Sequence, residues 1–110
     1  MKRRGSVSAD GSNNLVPQSL EDVDVIREFI ARDAPRTAER FIRRIFKTVE
    51  RLERFPLSGS LVPELRDESF REIRLKRYRI IYRVLKRDAV EIVTVHHGAR
   101  LLDLDLFLEG

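Results

Sequence analysis

The apolar positions change spacing twice along the chain, and each change marks a different element. Leu20, Val23, Ile26 and Ile30 recur at three and four behind Pro17 and Ser19, the signature of one buried helix face. Glu21, Asp22 and Asp24 add negative charge to what reads as the first turn, where the helix dipole favours it. Pro35 disfavours helical geometry in the residue before it, so this helix is expected to break near Asp33-Ala34. Pro35 itself suits the first position of a second helix. There Ala38, Phe41, Ile42, Ile45, Val49, Leu52 and Phe55 make one stripe over five turns, flanked by Arg40, Arg43, Arg44 and Lys47. Pro56 ends it and Ser58-Gly59 supplies a turn. So short a connection folds two helices back as a hairpin.

From Phe70 the period drops to two. Ile73 and Leu75 alternate with Arg74 and Lys76, and two β-branched and aromatic runs, Tyr78–Val84 and Glu91–His96, flank Arg87-Asp88. This predicts a strand followed by a β-hairpin, an antiparallel sheet for the helices to cover. Leu15-Val16 reads as the end of a very short strand, residues 60–69 as a surface loop, and residues 1–14 as a disordered or loosely attached polar extension. One domain is expected over residues 15–110. The closing LLDLDLFLEG fits an edge strand, a last helical turn or a partner-docking tail.

A loop of two or four residues centred on Arg87-Asp88 pairs Arg79 with His96, Ile80 with Val95, Ile81 with Thr94, Tyr82 with Val93 and Arg83 with Ile92. Opposed residues share a face. Ile80, Tyr82, Val84, Val93 and Val95 then face the helices, together with Ile73 and Leu75. The other face collects Arg74, Lys76, Arg79, Arg83 and His96. A slip of one residue would present His97 in place of His96.

Charge sharpens this picture. The 110 residues carry 22 Lys and Arg against 18 Asp and Glu, a net +4. Residues 71–87 hold eight cations against the single acid Glu72, while residues 88–110 hold five acids and one Arg. Two readings of the cationic segment follow: a solvated face, or a surface for phosphates or an acidic partner. Convergence on one sheet face favours the second. Arginine presents a planar donor fork matched to phosphate or carboxylate, and His exchanges a proton near neutral pH. With no Cys, a disulfide scaffold and a Cys-based zinc site are excluded. His96 and His97 are adjacent on a strand and point to opposite faces, so no metal or cofactor site is expected. No phosphate-cradling Gly-rich loop, nucleophile triad, secretory signal or membrane-length apolar run is present, and a cytoplasmic location is expected.

Taken together, "ARDAPRTAERFIRRI", "LERFPLSG", "REIRLKRYRIIYRV" and "VEIVTVHHGAR" resemble the RelE/ParE superfamily of toxins from bacterial type II toxin–antitoxin modules. The resemblance covers about Pro17 to Arg100. It implies an α+β fold, a helical hairpin packed on a small antiparallel sheet, and a cognate antitoxin as partner. It also implies a choice of activity. The ParE-like branch poisons DNA gyrase, and the helix start at Asp-Ala-Pro, "FPLSG" and "HGAR" resemble that branch more closely. The RelE-like branch cuts messenger RNA on the ribosome. In that alternative Arg79 and His96 would be catalytic with Arg100, and Arg74, Lys76 and Arg83 would hold phosphate. Glu72, standing where that branch often has a lysine, and the lack of a Tyr after Arg100 depart from the nuclease pattern. A third reading is a non-toxic basic binding module. The antitoxin is expected to cover the apolar groove beside the helical hairpin, at Phe41 and Ile45, and to send an acidic segment to Arg74 and Arg79.

Overall fold

A computed structural model describes residues 15–108. The polar extension expected over residues 1–14 lies outside the described residues.

The hairpin forms as the apolar spacing requires. Helix α1 spans Pro17–Ala31 and α2 spans Pro35–Arg54, each with a proline in its first turn. Ala34 is extended (φ −149°, ψ 75°), as the clash with the Pro35 ring demands. On α2 the buried positions are Ala38, Phe41, Ile42, Ile45, Val49 and Leu52, the expected stripe without its last member. Phe55 falls beyond the helix and is exposed. On α1 the buried set is Ser19, Val23 and Ile26, and Leu20 is turned partly to solvent. The reason is polar: Ser19 Oγ lies 2.9 Å from the Val16 carbonyl and 3.1 Å from the Ile92 carbonyl, tying the helix start to the sheet. Because α1 begins at Pro17, Glu21, Asp22 and Asp24 fall in its second turn rather than its first.

Four antiparallel strands follow in the order β1-β2-β3-β4: β1 Ser60–Leu61, β2 Phe70–Leu75, β3 Tyr78–Val84 and β4 Val90–His97. The segment expected to be an unfixed loop thus contributes a short edge strand. The expected strand at Leu15-Val16 is a single parallel bridge from Leu15 to Ile92 on the opposite edge, with Val16 N–H donating to the Ile92 carbonyl at 3.1 Å.

The predicted register holds for half of the hairpin. Arg79 opposes His96, Ile80 opposes Val95 and Ile81 opposes Thr94. A bulge then shifts the ladder, so that Tyr82 opposes Ile92, Arg83 opposes Glu91 and Val84 opposes Val90. The strands are joined through a 3-10 turn at Lys86–Asp88 with Arg87 in the left-handed region (φ 62°). That asymmetric turn displaces the pairing, and Val93 is the extra residue that restores it. The expected faces of two residues therefore exchange. Ile92 enters the core under the helices, and Val93 packs on the far face.

The main core lies between the helices and the sheet: Val23, Ile26, Phe41, Ile42, Ile45, Val49, Leu52, Leu75, Ile80, Tyr82, Ile92 and Val95. Full burial of each aliphatic side chain is worth about 1.5–3 kcal/mol, so this stripe dominates the stability of the hairpin. The Tyr82 hydroxyl donates to the Pro56 carbonyl at 2.7 Å and accepts from Gly59 N–H at 2.9 Å, fixing the turn after α2. A Cβ on Gly59 would stand 2.6 Å from the Glu72 carbonyl, so only glycine fits there.

The opposite sheet face, expected to be an open cationic surface, is largely covered. Val62, Phe70, Ile81 and Val93 form a second apolar cluster, with Leu65, Leu102, Leu106 and Phe107 packed against it. The C-terminal tail supplies three of those residues. It folds as a short 3-10 turn at Leu104–Phe107, whose Phe107 ring meets Phe70 edge-on at 5.2 Å.

Candidate functional site

Arg79 sits on the inner strand β3, one residue in from the β2–β3 turn, opposite Arg74 on β2 and His96 on β4. Its guanidinium is only 5% exposed, and all three nitrogens have acidic partners. Nε donates to Glu72 Oε1 at 2.6 Å, while Nη1 and Nη2 donate to Glu64 at 2.9 and 2.7 Å. The Arg79 hydrogen bonds hold the Glu64 carboxyl well below the usual range, at about 2. Reciprocally, hydrogen bonding to Glu64 raises the Arg79 guanidinium further above its ordinary value, against the effect of burial. The expected free cation is therefore a neutralised one. Sequence spacing could not show this, because Glu64 arrives from a loop fifteen residues upstream.

The other cations of the expected face separate into two groups. Arg83 is half-buried, with its guanidinium 5.5 Å from the centre of the Phe70 ring. Arg74, Lys76 and Arg100 are exposed at the end of the sheet where the β2–β3 turn meets the chain leaving β4. Gly98 N–H donates to the Arg77 carbonyl at 2.7 Å and joins the two turns. Lys76 occupies the left-handed region (φ 56°), as this tight turn requires. The half-buried His96 sets Nε2 2.8 Å from the Arg100 carbonyl, and His97 Nδ1 accepts from Ala99 N–H at 3.1 Å. Both imidazoles are thus engaged by the backbone of the following turn. Among the described residues no group of three or more His, Asp or Glu is placed to hold a metal ion.

A second surface lies on the helical side. Phe29, Ile30, Phe41 and Tyr78 floor a groove of about 620 Å³ between the end of α1, the first half of α2 and the β2–β3 turn. The Phe41 and Tyr78 rings lie 5.5 Å apart, and the His97 and Tyr78 rings meet in a T-shaped contact at 5.3 Å. Arg40, Arg43, Arg44, Lys47, Lys76 and Arg77 rim it, and no acid lines it. Of the two apolar residues expected to meet a partner, Phe41 reaches this groove. Ile45 does not: it is wholly buried in the core. Phe29, 64% exposed, is the groove residue that the apolar spacing missed, because it lies off the buried stripe of α1.

Residues 14–102 match the family model described as the ParE toxin of the type II toxin-antitoxin system, parDE. This chain belongs to the ParE toxin family. No curated protein matches it. Among solved structures it resembles the chromosomal ParDE TA system from P. aeruginosa, with a TM-score of 0.62 at 17% identity over 76% of this chain and 90% of that one. That likeness is one of fold, two helices on a four-stranded antiparallel sheet. Family membership makes the chain a toxin-antitoxin toxin with an antitoxin as its implied partner. None of its described helices is long and apolar enough to cross a membrane.

Proposed function

We propose that this ParE-family toxin arrests growth in the cytoplasm by inhibiting DNA gyrase, and that its antitoxin neutralises it by laying an acidic, amphipathic segment in the groove of Phe29, Phe41 and Tyr78. The observation that carries the reading is the state of Arg79. Ribonuclease chemistry on the expected face calls for a cation free to meet developing charge on phosphate. Here that guanidinium already holds two carboxylates and is screened from solvent. The groove, in contrast, offers apolar floor and six unopposed cations, the complement of an acidic helix with one apolar face.

The deciding experiment expresses the toxin and compares gyrase-linked DNA breaks with mapped cuts in translated messages. DNA breaks with intact messages are expected. Message cuts with intact DNA would overturn the gyrase assignment in favour of the nuclease. No growth arrest without antitoxin would leave a basic binding module.

A further inference from the structure

The cations of α2 are interleaved in sequence with Glu39, Glu50 and Glu53, which conceals their arrangement. Wound at about 100° per residue, Arg36, Arg40, Arg43, Lys47 and Arg54 fall within about 60° of the helix circumference. Arg51 and Arg44 extend this arc by about 40° on one side, and Glu50 and Glu39 border it within about 40° on the other. This arc lies opposite the buried one through Ala38, Ile45, Val49 and Leu52. All seven cations are exposed, and none forms an ion pair with a described residue. From Arg36 to Arg54 the stripe runs about 27 Å, one cation for about every 5 Å of rise or less.

The stripe is longer than the groove beside it. Arg36, Arg51 and Arg54 lie outside the groove lining, and no large exposed apolar side chain interrupts the helix. At Arg51 and Arg54 the stripe exposes no large apolar side chain, and the exposed Phe55 and Leu57 stand just beyond the helix end. A phosphate backbone needs only cations, and six of these seven are arginines, whose forks match phosphate. We propose that α2 binds the phosphate backbone of duplex DNA through this stripe, without sequence preference. The exposed half of a helix fits the major groove of B-form DNA, about 12 Å wide, with Arg44 and Arg51 toward one phosphate wall. The deep, narrow major groove of A-form RNA does not admit it. No asparagine or glutamine stands in the stripe to read adenine edges, and the arginines are assigned to phosphate.

The test uses the full chain alone, without gyrase or antitoxin, so its failure is distinct from failure of the gyrase assignment. Fluorescence anisotropy with short labelled DNA duplexes of unrelated sequence is measured between roughly 50 and 200 mM salt. Binding is expected to be equal across sequences and to fall linearly in log–log form. The triple variant Arg36→Gln/Arg43→Gln/Arg54→Gln is expected to flatten that slope by about 2.7, roughly 0.9 for each phosphate that no longer meets a cation. All three positions are exposed, and an unchanged thermal melt confirms that the fold is intact. The control Lys86→Gln/Arg87→Gln, at the β3–β4 turn, is expected to keep the wild-type slope. The proposal is overturned by an unchanged slope in the triple variant or by an equal flattening in the control. Tighter binding of duplex RNA overturns it as well.

Discussion

Arg79 on β3 grips Glu64 in the loop before β2 through two parallel hydrogen bonds, Nη1–Oε2 at 2.9 Å and Nη2–Oε1 at 2.7 Å. The same guanidinium holds Glu72 on the neighbouring strand at 2.6 Å. One residue thus fastens the loop over Val62 and Leu65 to the sheet and occupies the place where a free sheet arginine was expected.

Replacing Glu64 with Gln removes the charged half of the pair. Hydrogen bonds to charged groups are worth about 1.5–3 kcal/mol, and partial exposure of Glu64 reduces the expected loss to about 1–2 kcal/mol near pH 7. The folded-state pKa of about 2 lies below the ordinary 4.5. A depressed carboxylate stabilises the fold above its unfolded pKa, and this stabilisation disappears as pH falls through the folded value. Denaturant unfolding should show a constant gap between wild type and Glu64→Gln above pH 5. The gap should narrow between about 4.5 and 2.

Arg79→Ala leaves Glu72 buried without its partner. Removing one member of a buried ion pair costs about 3–5 kcal/mol. Thermal melting should show this loss, and adding Glu72→Gln should recover part of it in a double-mutant cycle. Loss of toxicity in Arg79→Ala alone therefore reports on folding as much as on chemistry.

Asp22 protects the β4 edge by accepting from Thr94 Oγ1 and from Val95 N–H at 3.0 Å. Asp22→Ala leaves both donors without that acceptor, at an expected cost of about 1–3 kcal/mol. Hydrogen exchange should quicken at the Val95 amide before it does at Ile80. Equal protection in the variant would mean that water replaces the carboxylate without loss.

Phe29 tests the antitoxin groove. It is 64% exposed, so Phe29→Ala should change stability by about 1 kcal/mol or less. Truncating a central aromatic anchor should nevertheless weaken antitoxin binding at least about tenfold, or about 1.4 kcal/mol. Val25→Ala, equally exposed but outside the groove lining, is the calorimetric control and should leave affinity unchanged.

The elements that could be read directly are those whose signal is local. Pro35 and Pro56 bound α2, the spacing from Ala38 to Leu52 names its buried face, and β-branched runs name β3 and β4. Pairing near Arg79 followed from centring the hairpin loop on Arg87-Asp88. The bulge did not, because it depends on how the turn at Lys86–Asp88 closes, and that single extra residue sends Val93 to the far face. For the same reason the C-terminal leucines could not be assigned: their alternation fits several elements, and only the apolar patch of Phe70, Ile81 and Val93 selects the 3-10 turn.

The concentration of positive charge on Arg71–Arg87 is a property of the sequence, and so are the two helices and the antiparallel strands, of which β2 and β3 carry most of that charge. Which of those cations remain available was decided in three dimensions. Neutralisation of Arg79 needs carboxylates from two other segments within 3 Å, and the groove needs aromatic residues from α1, α2 and β3 at one place. Helical and strand periods act over a few residues, whereas these interactions join segments that only the closed fold brings together.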